Sequence, residues 1–347
     1  MEGLQNTYFS EYEDLEVHEI MLRDRPRQEA YKNAIMQNAA LFKDKVVMDV
    51  GAGTGILSAF CAKAGAKLVY AVEASNLAKI ALTVMEENSL TSIVKVIHDK
   101  VEDFVLPSTA EKVDIIVSEW MGFYLLHEGM LDSVIFARDN FLKPDGHMFP
   151  SEATIYVAPC SVPSRFDDWN NIDGICLSSF GNMLRRQKSS KPEIVSISPE
   201  NLLHSGVAMF WMNINEIRVE ELESIVFQEV VPTQYPGKHQ GFCIWFDCRF
   251  PGENYENSVV LSTGPNATTT HWKQCIVVLP DNACEELEEN APVAFKISMI
   301  RRNDDKRKYN LEVELLDPNV IDHPVPCECH YTKCILIKTH LQNMDTS

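Results

Sequence analysis

Two glutamates nine residues apart, Glu119 and Glu128, fall in the segment Ser118-Glu-Trp-Met-Gly-Phe-Tyr-Leu-Leu-His-Glu-Gly-Met130. A loop that leaves a strand and folds back aims both carboxylates into one pocket. Like charges held close raise one pKa, and a cationic occupant removes that cost. A guanidinium suits best, because its planar fork of N–H donors matches carboxylates bidentately and stays charged at ordinary pH. Two loop acids alone would be plain surface charge. Here they follow a nucleotide-binding signature at the distance an active site requires.

That signature is Asp49-Val-Gly51-Ala-Gly53-Thr-Gly55, which directly follows a strand pattern and opens a helical one. Glycines allow close backbone approach and the φ values of a tight turn. Dinucleotide enzymes use G-x-G-x-x-G, whose helix N-terminus meets a pyrophosphate. The spacing here is G-x-G-x-G, and an acid precedes it. Asp49 would repel a phosphate but can receive an amino group, which favours S-adenosylmethionine with its ammonium and its sulfonium. Glu73 ends the second strand, where a carboxylate can accept both ribose hydroxyls. Glu102, after the third strand, can accept an adenine amino proton. The duller alternative is a turn that needs glycine only for packing.

The elements that must hold these residues change character near Pro150. Before it, strand patterns (Lys45–Val50, Leu68–Val72, Val94–Ile97, Val113–Val117) alternate with helical ones (Ile56–Lys63, Leu77–Asn88), and Phe141–Gly146 reads as a turn. Strands spaced by helices imply a parallel sheet with crossovers, so residues 1–150 read as a Rossmann-like α/β domain with N-terminal helices. After Pro150 the period becomes two. Ala153–Val157, Phe242–Phe250, Val259–Ser262, Cys275–Leu279, Ala294–Ile300, Leu311–Leu315 and Ile335–Thr339 read as strands, so residues 151–347 read as an antiparallel barrel or sandwich, with a β-barrel domain the expectation. Within it, about 164–190 reads as an inserted helical excursion. Its apolar face carries Trp169, Ile172, Ile175, Leu177, Phe180, Met183 and Leu184, a contact surface in prospect.

A chain of 347 residues with 45% apolar and 23% charged residues reads as globular and two-domain. The first twenty residues are acidic and polar, with no secretory pattern. No apolar run approaches the ~20 residues of a membrane helix. Ten cysteines without disulfide-like regularity imply reduced thiols. A formal charge of −19 disfavours nucleic acid as a direct ligand and favours basic partners.

With Tyr8-Phe-Ser-Glu-Tyr12, His18-Glu-Ile-Met-Leu22, Val47 to Gly55, Ala71-Val-Glu-Ala-Ser75, Ser118 to Leu131 and Thr270-His-Trp-Lys-Gln274, the chain resembles the type I protein arginine methyltransferases. The resemblance runs from about Tyr8 to Gln274. It implies that Glu119 and Glu128 grip the substrate guanidinium, while His271 with Asp24 handles the released proton. It gives the cofactor Phe9, His18, Arg27, Asp49, Gly51, Gly53, Glu73 and Glu102, with Arg27 on its carboxylate. It sets Tyr8, Tyr12, Met21, Met130 and Trp272 around the substrate, with Met21 pointing to asymmetric dimethylarginine. It also implies S-adenosylmethionine as methyl donor, histone tails or Gly/Arg-rich proteins as substrates, a homodimer, and residence in nucleus and cytoplasm. Taken alone, Tyr8, Phe9 and Tyr12 also suit a core, Met21 and Met130 suit core filler, and His271 suits a barrel-loop hydrogen bond.

The chain departs from the family pattern in places. His127 and Gly129 flank the second acid where many relatives carry an aromatic and a serine. Pro26 bends or starts the N-terminal helix, and the arm is short for a dimerisation arm. Cys327-Glu-Cys329-His330 with Cys334 and His323 resembles a zinc set. Its spacing matches no common finger and it falls in strand-like sequence, so no metal is expected. Arg301, Arg302, Lys306, Arg307 and Lys308 read as a solvated hairpin turn rather than an import signal. Other functional readings are a small-molecule methyltransferase, which would not need two acids on one guanidinium, and a silent scaffold, against which the intact Glu119, Glu128, Arg27 and His271 argue. A nicotinamide dehydrogenase is disfavoured by the glycine spacing.

Overall fold

In the computed structural model β1 (Val46–Val50) is the centre of a five-stranded parallel sheet. On one side lie β2 (Leu68–Glu73) and β3 (Val94–His98), and on the other β4 (Val113–Val117) and β5 (Leu142–Phe149). The structure describes residues 14–107, 111–163, 166, 168–252, 255 and 258–345. Tyr8, Phe9 and Tyr12 lie outside the described residues.

The apolar run Val46-Val-Met-Asp-Val50 is buried almost throughout, as a strand covered on both faces must be. Helices α4 (Ile56–Lys63), α5 (Leu77–Glu87) and α6 (Leu131–Phe141) lie between the strands in sequence. The strand order reverses between β1 and β4, and a crevice opens at such a point beyond the carboxyl ends of the strands. Gly51 follows β1, Glu73 closes β2 and Glu119 comes two residues after β4, so all three reach it. Of the turn expected at Phe141–Gly146, Phe141 ends α6 and Leu142–Gly146 is part of β5. Its register jumps from Val113↔Leu142 to Ile115↔His147, so Lys143-Pro-Asp-Gly146 bulges out of the pairing.

Ahead of the sheet, Asp24 ends α1 (Leu15–Arg23) and starts α2 (Arg25–Gln37). Its Oδ1 accepts the Arg27 N–H at 3.1 Å, and Pro26 occupies the first turn, where no backbone N–H is required. Pro26 therefore starts α2 and does not bend it. A short α3 (Ala39–Phe42) leads into β1.

The second region begins with β6 (Glu152–Cys160) and is antiparallel. Its largest sheet runs β7 (Glu193–Val195), β13 (Gln274–Val278), β11 (Gly241–Arg249), β6, β8 (Val207–Asn213), with β12 (Val260–Ser262) on β11. A second sheet orders β16 (Tyr309–Leu315), β15 (Pro292–Arg301) and β9 (Ser224–Pro232), and β10 (Gly237–His239) pairs with β14 (Glu285–Leu287). Among the described residues the pairings of this region fall into sheets of six, three and two strands. One apolar core joins both regions. Tyr31 of α2 meets Phe250 edge-on at 4.8 Å, and Phe149 packs against Phe250.

The arm holds α7 (Ser178–Lys188), with Trp169 against Phe180 at 4.9 Å. Ile175, Phe180 and Met183 are exposed. At the far end, Ile335–Thr339 is not a strand but part of α8 (Thr332–Asp345). A short apolar run fits either state by pattern, and fourteen residues without Gly or Pro close their own hydrogen bonds where no sheet edge is offered. Among the described residues no helix is long and apolar enough to cross a membrane.

Candidate active site

The crevice beyond β1 and β4 is a cavity walled by the glycine turn, the ends of β1 and β2, and α1. Gly51, Gly53, Glu73 and Glu102 line it, as do His18, Met21, Arg27, Glu119 and Met130. Gly51 has φ +71, a backbone conformation that favours glycine, and a Cβ there would fall 2.2 Å from Met130 Cε and displace that flexible side chain.

Glu73 is half engaged by its own fold. Its Oε2 accepts the Gly53 N–H at 2.8 Å and its Oε1 accepts Ser75 N–H and Oγ–H at 2.8 and 2.6 Å, tying the β1 and β2 turns together. A carboxylate oxygen has two lone pairs, so Oε2 keeps acceptor capacity for a ligand in the cavity that Glu73 lines. Glu102 accepts Ser133 Oγ–H of α6 at 2.6 Å. Asp49 departs from expectation. It is fully buried, absent from the cavity lining, and accepts Ser58 Oγ–H at 2.6 Å on Oδ2. Oδ1 is buried with no hydrogen-bond partner among the described residues. Burial pushes its carboxyl up to about 7, against the Ser58 hydrogen bonds.

Arg27 meets Glu119. Its Nε and Nη2 lie 2.9 and 2.7 Å from Glu119 Oε2, and its Nη1 donates to the Met21 carbonyl. Three bonds hold the strand end that carries Glu119. Tyr31 Oη donates to Ser118 O at 2.8 Å, Ser118 Oγ to Val50 O at 2.7 Å, and Trp272 Nε1 to Met121 O at 2.9 Å. Trp272 is buried beneath this loop, supports it through that bond, and is not among the residues lining this cavity.

His271 and Asp24 are joined as expected. Asp24 Oδ2 accepts the His271 backbone N–H at 2.8 Å and contacts its Nδ1 at 2.6 Å. Burial alone would raise the Asp24 carboxyl, but hydrogen bonds from His271 and Arg27 outweigh it and hold it below its ordinary value. Neither residue lines the cavity.

Glu128 is not among the residues that line this cavity, whereas Glu119 is. Its backbone is fixed instead. Its N–H donates to Arg307 O at 2.8 Å, and Arg307 Nη1 donates to its carbonyl at 2.9 Å. Tyr124, Leu125 and Glu128 all have positive φ, a cluster of strain in one loop. His127, whose Nδ1 lies 3.0 Å from Tyr124 Oη, is shifted below its ordinary pKa by burial.

The basic run is the hairpin turn between β15 and β16, with Lys306 and Lys308 exposed, but Arg301 is not solvated. Arg301 is buried, pairs with Asp132 at 2.7 Å and Glu223 at 3.3 Å, and donates from Nε to Lys306 O. It thereby delivers Arg307 to the cavity wall beside Met130. Sequence reasoning does not single out Arg307, Tyr31 or Ser118, since their partners lie far away in the chain.

A family model described as the arginine methyltransferase oligomerization subdomain matches residues 151–316, and one described as ribosomal protein L11 methyltransferase (PrmA) matches residues 34–148. A relative in Arabidopsis thaliana, "Probable protein arginine N-methyltransferase 6", is 37% identical over 88% of this chain and 78% of its own length. "Protein arginine N-methyltransferase 6" of Danio rerio is 37% identical over 88% of each chain. The chain belongs to the protein arginine N-methyltransferase family. Solved structures of the family agree in fold. The Trypanosoma brucei PRMT1 enzyme-prozyme complex with AdoHcy superposes with a TM-score of 0.77 at 32% identity, covering 90% of this chain and 97% of that one. A PRMT6-SAH crystal structure superposes with a TM-score of 0.76 at 31% identity, covering 87% of this chain and 100% of that one. The oligomerization subdomain stops at 316, so the described residues 317–345 lie beyond the family model.

Proposed function

We propose that this chain is an S-adenosylmethionine-dependent protein arginine methyltransferase that forms mono- and asymmetric dimethylarginine. The observation that carries the reading is a cavity at the sheet's switch point that ends on Glu119, with that carboxylate oriented by Arg27. The residues suit an adenosyl cofactor. Gly51 leaves room for close approach, and Glu73 and Glu102 offer acceptors along one wall. When bound, S-adenosylmethionine supplies a methyl group activated on a sulfonium.

The protein's part is placement and charge. A guanidinium is a weak nucleophile because its lone pairs are delocalised. Glu119, joined by Glu128 as the loop adjusts around substrate, would hold positive charge on the far nitrogens and free the remaining one. Fixing that nitrogen contributes proximity and orientation, for which ~7–11 kcal/mol is available in principle, in a site where preorganised charge acts strongly. The His271–Asp24 pair would take up the released proton. Met21 on the cavity wall, a flexible side chain, leaves room for a second methyl on the same nitrogen.

The charge of −19 suits arginine in basic segments such as histone tails or Gly/Arg-rich regions. The exposed arm suits a homodimer. The test is transfer from labelled S-adenosylmethionine to histone and Gly-Arg peptides, with Glu119→Gln and Glu128→Gln as controls. Asymmetric dimethylarginine from the native chain, and strongly reduced label from both variants, is expected. Label on lysine, or full label from the variants, would overturn the reading.

A further inference from the structure

The segment after β16 has almost no apolar core. Val320, Val325 and Leu336 are more than 60% exposed, and its buried cluster consists of Cys327, Cys329 and Cys334, with Tyr331 packed against them. A piece this small needs a staple to hold one conformation.

The three sulfurs converge on one ring nitrogen. His323 Nδ1 lies 3.5 Å from Cys327 Sγ and 3.3 Å from both Cys329 Sγ and Cys334 Sγ. All four ligand atoms fall within 4.8 Å of one another, and all four residues are buried. A tetrahedron with Zn–S of ~2.3 Å and Zn–N of ~2.0–2.1 Å sets S···N at ~3.6 Å, close to these separations. The tautomer is fixed from outside. His323 Nε2 lies 2.7 Å from the Pro318 carbonyl, an acceptor only, so Nε2 carries the proton and Nδ1 presents its lone pair to the sulfurs. One lone pair accepts one S–H, and the remaining thiols have only one another's sulfurs, which are weak acceptors. A cation satisfies all three as thiolates. The Cys329 backbone N–H also points to Cys327 Sγ at 3.5 Å.

We infer that His323, Cys327, Cys329 and Cys334 bind a structural zinc ion that folds residues 317–345. Three thiolates and an imidazole in tetrahedral array favour zinc over harder cations, and four protein ligands leave no open position for catalysis. None of the four lines the methyl-transfer cavity, and the site lies beyond residue 316, where the family model ends. His330, adjacent in sequence, is not a ligand. Its backbone N–H instead docks the module on Asn290 O at 2.9 Å. The sequence pattern hid the site because the histidine is four residues ahead of a Cys-x-Cys pair and the last cysteine sits on a helix read as a strand. The inference is independent of the methyl-transfer reading.

The full chain, expressed in zinc-replete medium and purified reduced without chelator, should carry about one zinc per chain by mass spectrometry of the metal. Mercurial titration should release it, and cobalt(II) in its place should give the intense visible bands of a tetrahedral thiolate site. Cys327→Ser and His323→Ala should each lose most of the metal, while His330→Ala and Cys176→Ser keep it. Where a ligand variant fails to fold, the cobalt spectrum and mercurial release of the native chain decide. A metal-free chain with no cobalt spectrum, a disulfide among the three cysteines, iron or copper in place of zinc, or zinc retained by folded ligand variants would overturn the assignment.

Discussion

Arg27 sets both Nε and Nη2 on a single oxygen of Glu119, Oε2, and leaves Oε1 to the Met121 N–H at 3.2 Å. Both side chains are about nine-tenths buried. The pair therefore orients one carboxylate from behind and leaves acceptor capacity on Oε1 for an incoming donor. Removing one partner strands a buried charge, at a cost of about 3–5 kcal/mol. Arg27→Ala should destabilise the chain by that amount in urea unfolding and weaken S-adenosylmethionine binding. Glu119→Gln should keep the shape and lose turnover by on the order of 10²–10³-fold, the scale of deleting one preorganised charge-stabilising group. Calorimetry of cofactor binding beside peptide turnover separates the two. Equal loss of cofactor affinity in both variants would refute the division of roles.

Asp49 gives the chain a pH signature. Its folded value is raised to about 7 from an ordinary 3.8, burial being the main cause. Between those values the native state holds a proton that the unfolded state has released, so stability attributable to this group falls as pH rises from about 4 to about 7 and is flat above. Asp49→Asn abolishes this slope. Urea midpoints of the native chain and the variant, measured from pH 4.5 to 8.5, should diverge in favour of the variant up to about pH 7 and then run parallel. Curves parallel throughout would mean the carboxyl is not perturbed.

Gly129 is held at φ +63, and a Cβ there would lie 3.1 Å from Arg307 Cα and 3.3 Å from Lys306 O. Gly129→Ala should cost about 1–2 kcal/mol for the left-handed backbone alone and push Arg307 away from the Glu128 loop. KM for an arginine peptide should rise severalfold while cofactor affinity holds. An unchanged KM would show that the Arg307 contact does not position the loop.

The legible parts of this chain are those with local physics. Val46–Val50, Leu68–Glu73 and Val113–Val117 announce a parallel sheet by largely apolar runs spaced by helical patterns, and Gly51-Ala-Gly53 announces a turn that a ligand can approach. Long-range contacts are not legible. Nothing local tells that Ser58 claims Asp49, that Trp272 carries the Met121 carbonyl, or that buried Arg301 finds Asp132 and brings Arg307 to the cavity. Strands β8 and β9 escape because their apolar residues do not alternate cleanly. Val207-Ala-Met-Phe-Trp-Met mixes both faces, and the β6–β8 pairing is itself irregular at Ile155/Tyr156. The His271–Asp24 contact spans 247 residues and comes only through resemblance.

The arm yields the last prediction. Arg185 ties it to the body through Asp281 and stacks over Phe166 at 4.8 Å, so its base is anchored while Phe180 and Met183 stand 53% and 71% exposed. Gly181 lies tight against Trp169, with room for no side chain, which holds α7 in one orientation and presents those two residues together. An anchored, oriented apolar face on a subdomain that matches an oligomerization family fits a second copy of the chain. Phe180→Glu with Met183→Glu puts two charges where burial would leave them unpaired, and the expected outcome in sedimentation is a dimer for the native chain and a monomer for the variant. Far-UV circular dichroism should stay near native, because both positions are largely exposed within one chain, while the fluorescence of Trp169, which packs on Phe180, should change. A double variant that remains dimeric would place the interface elsewhere.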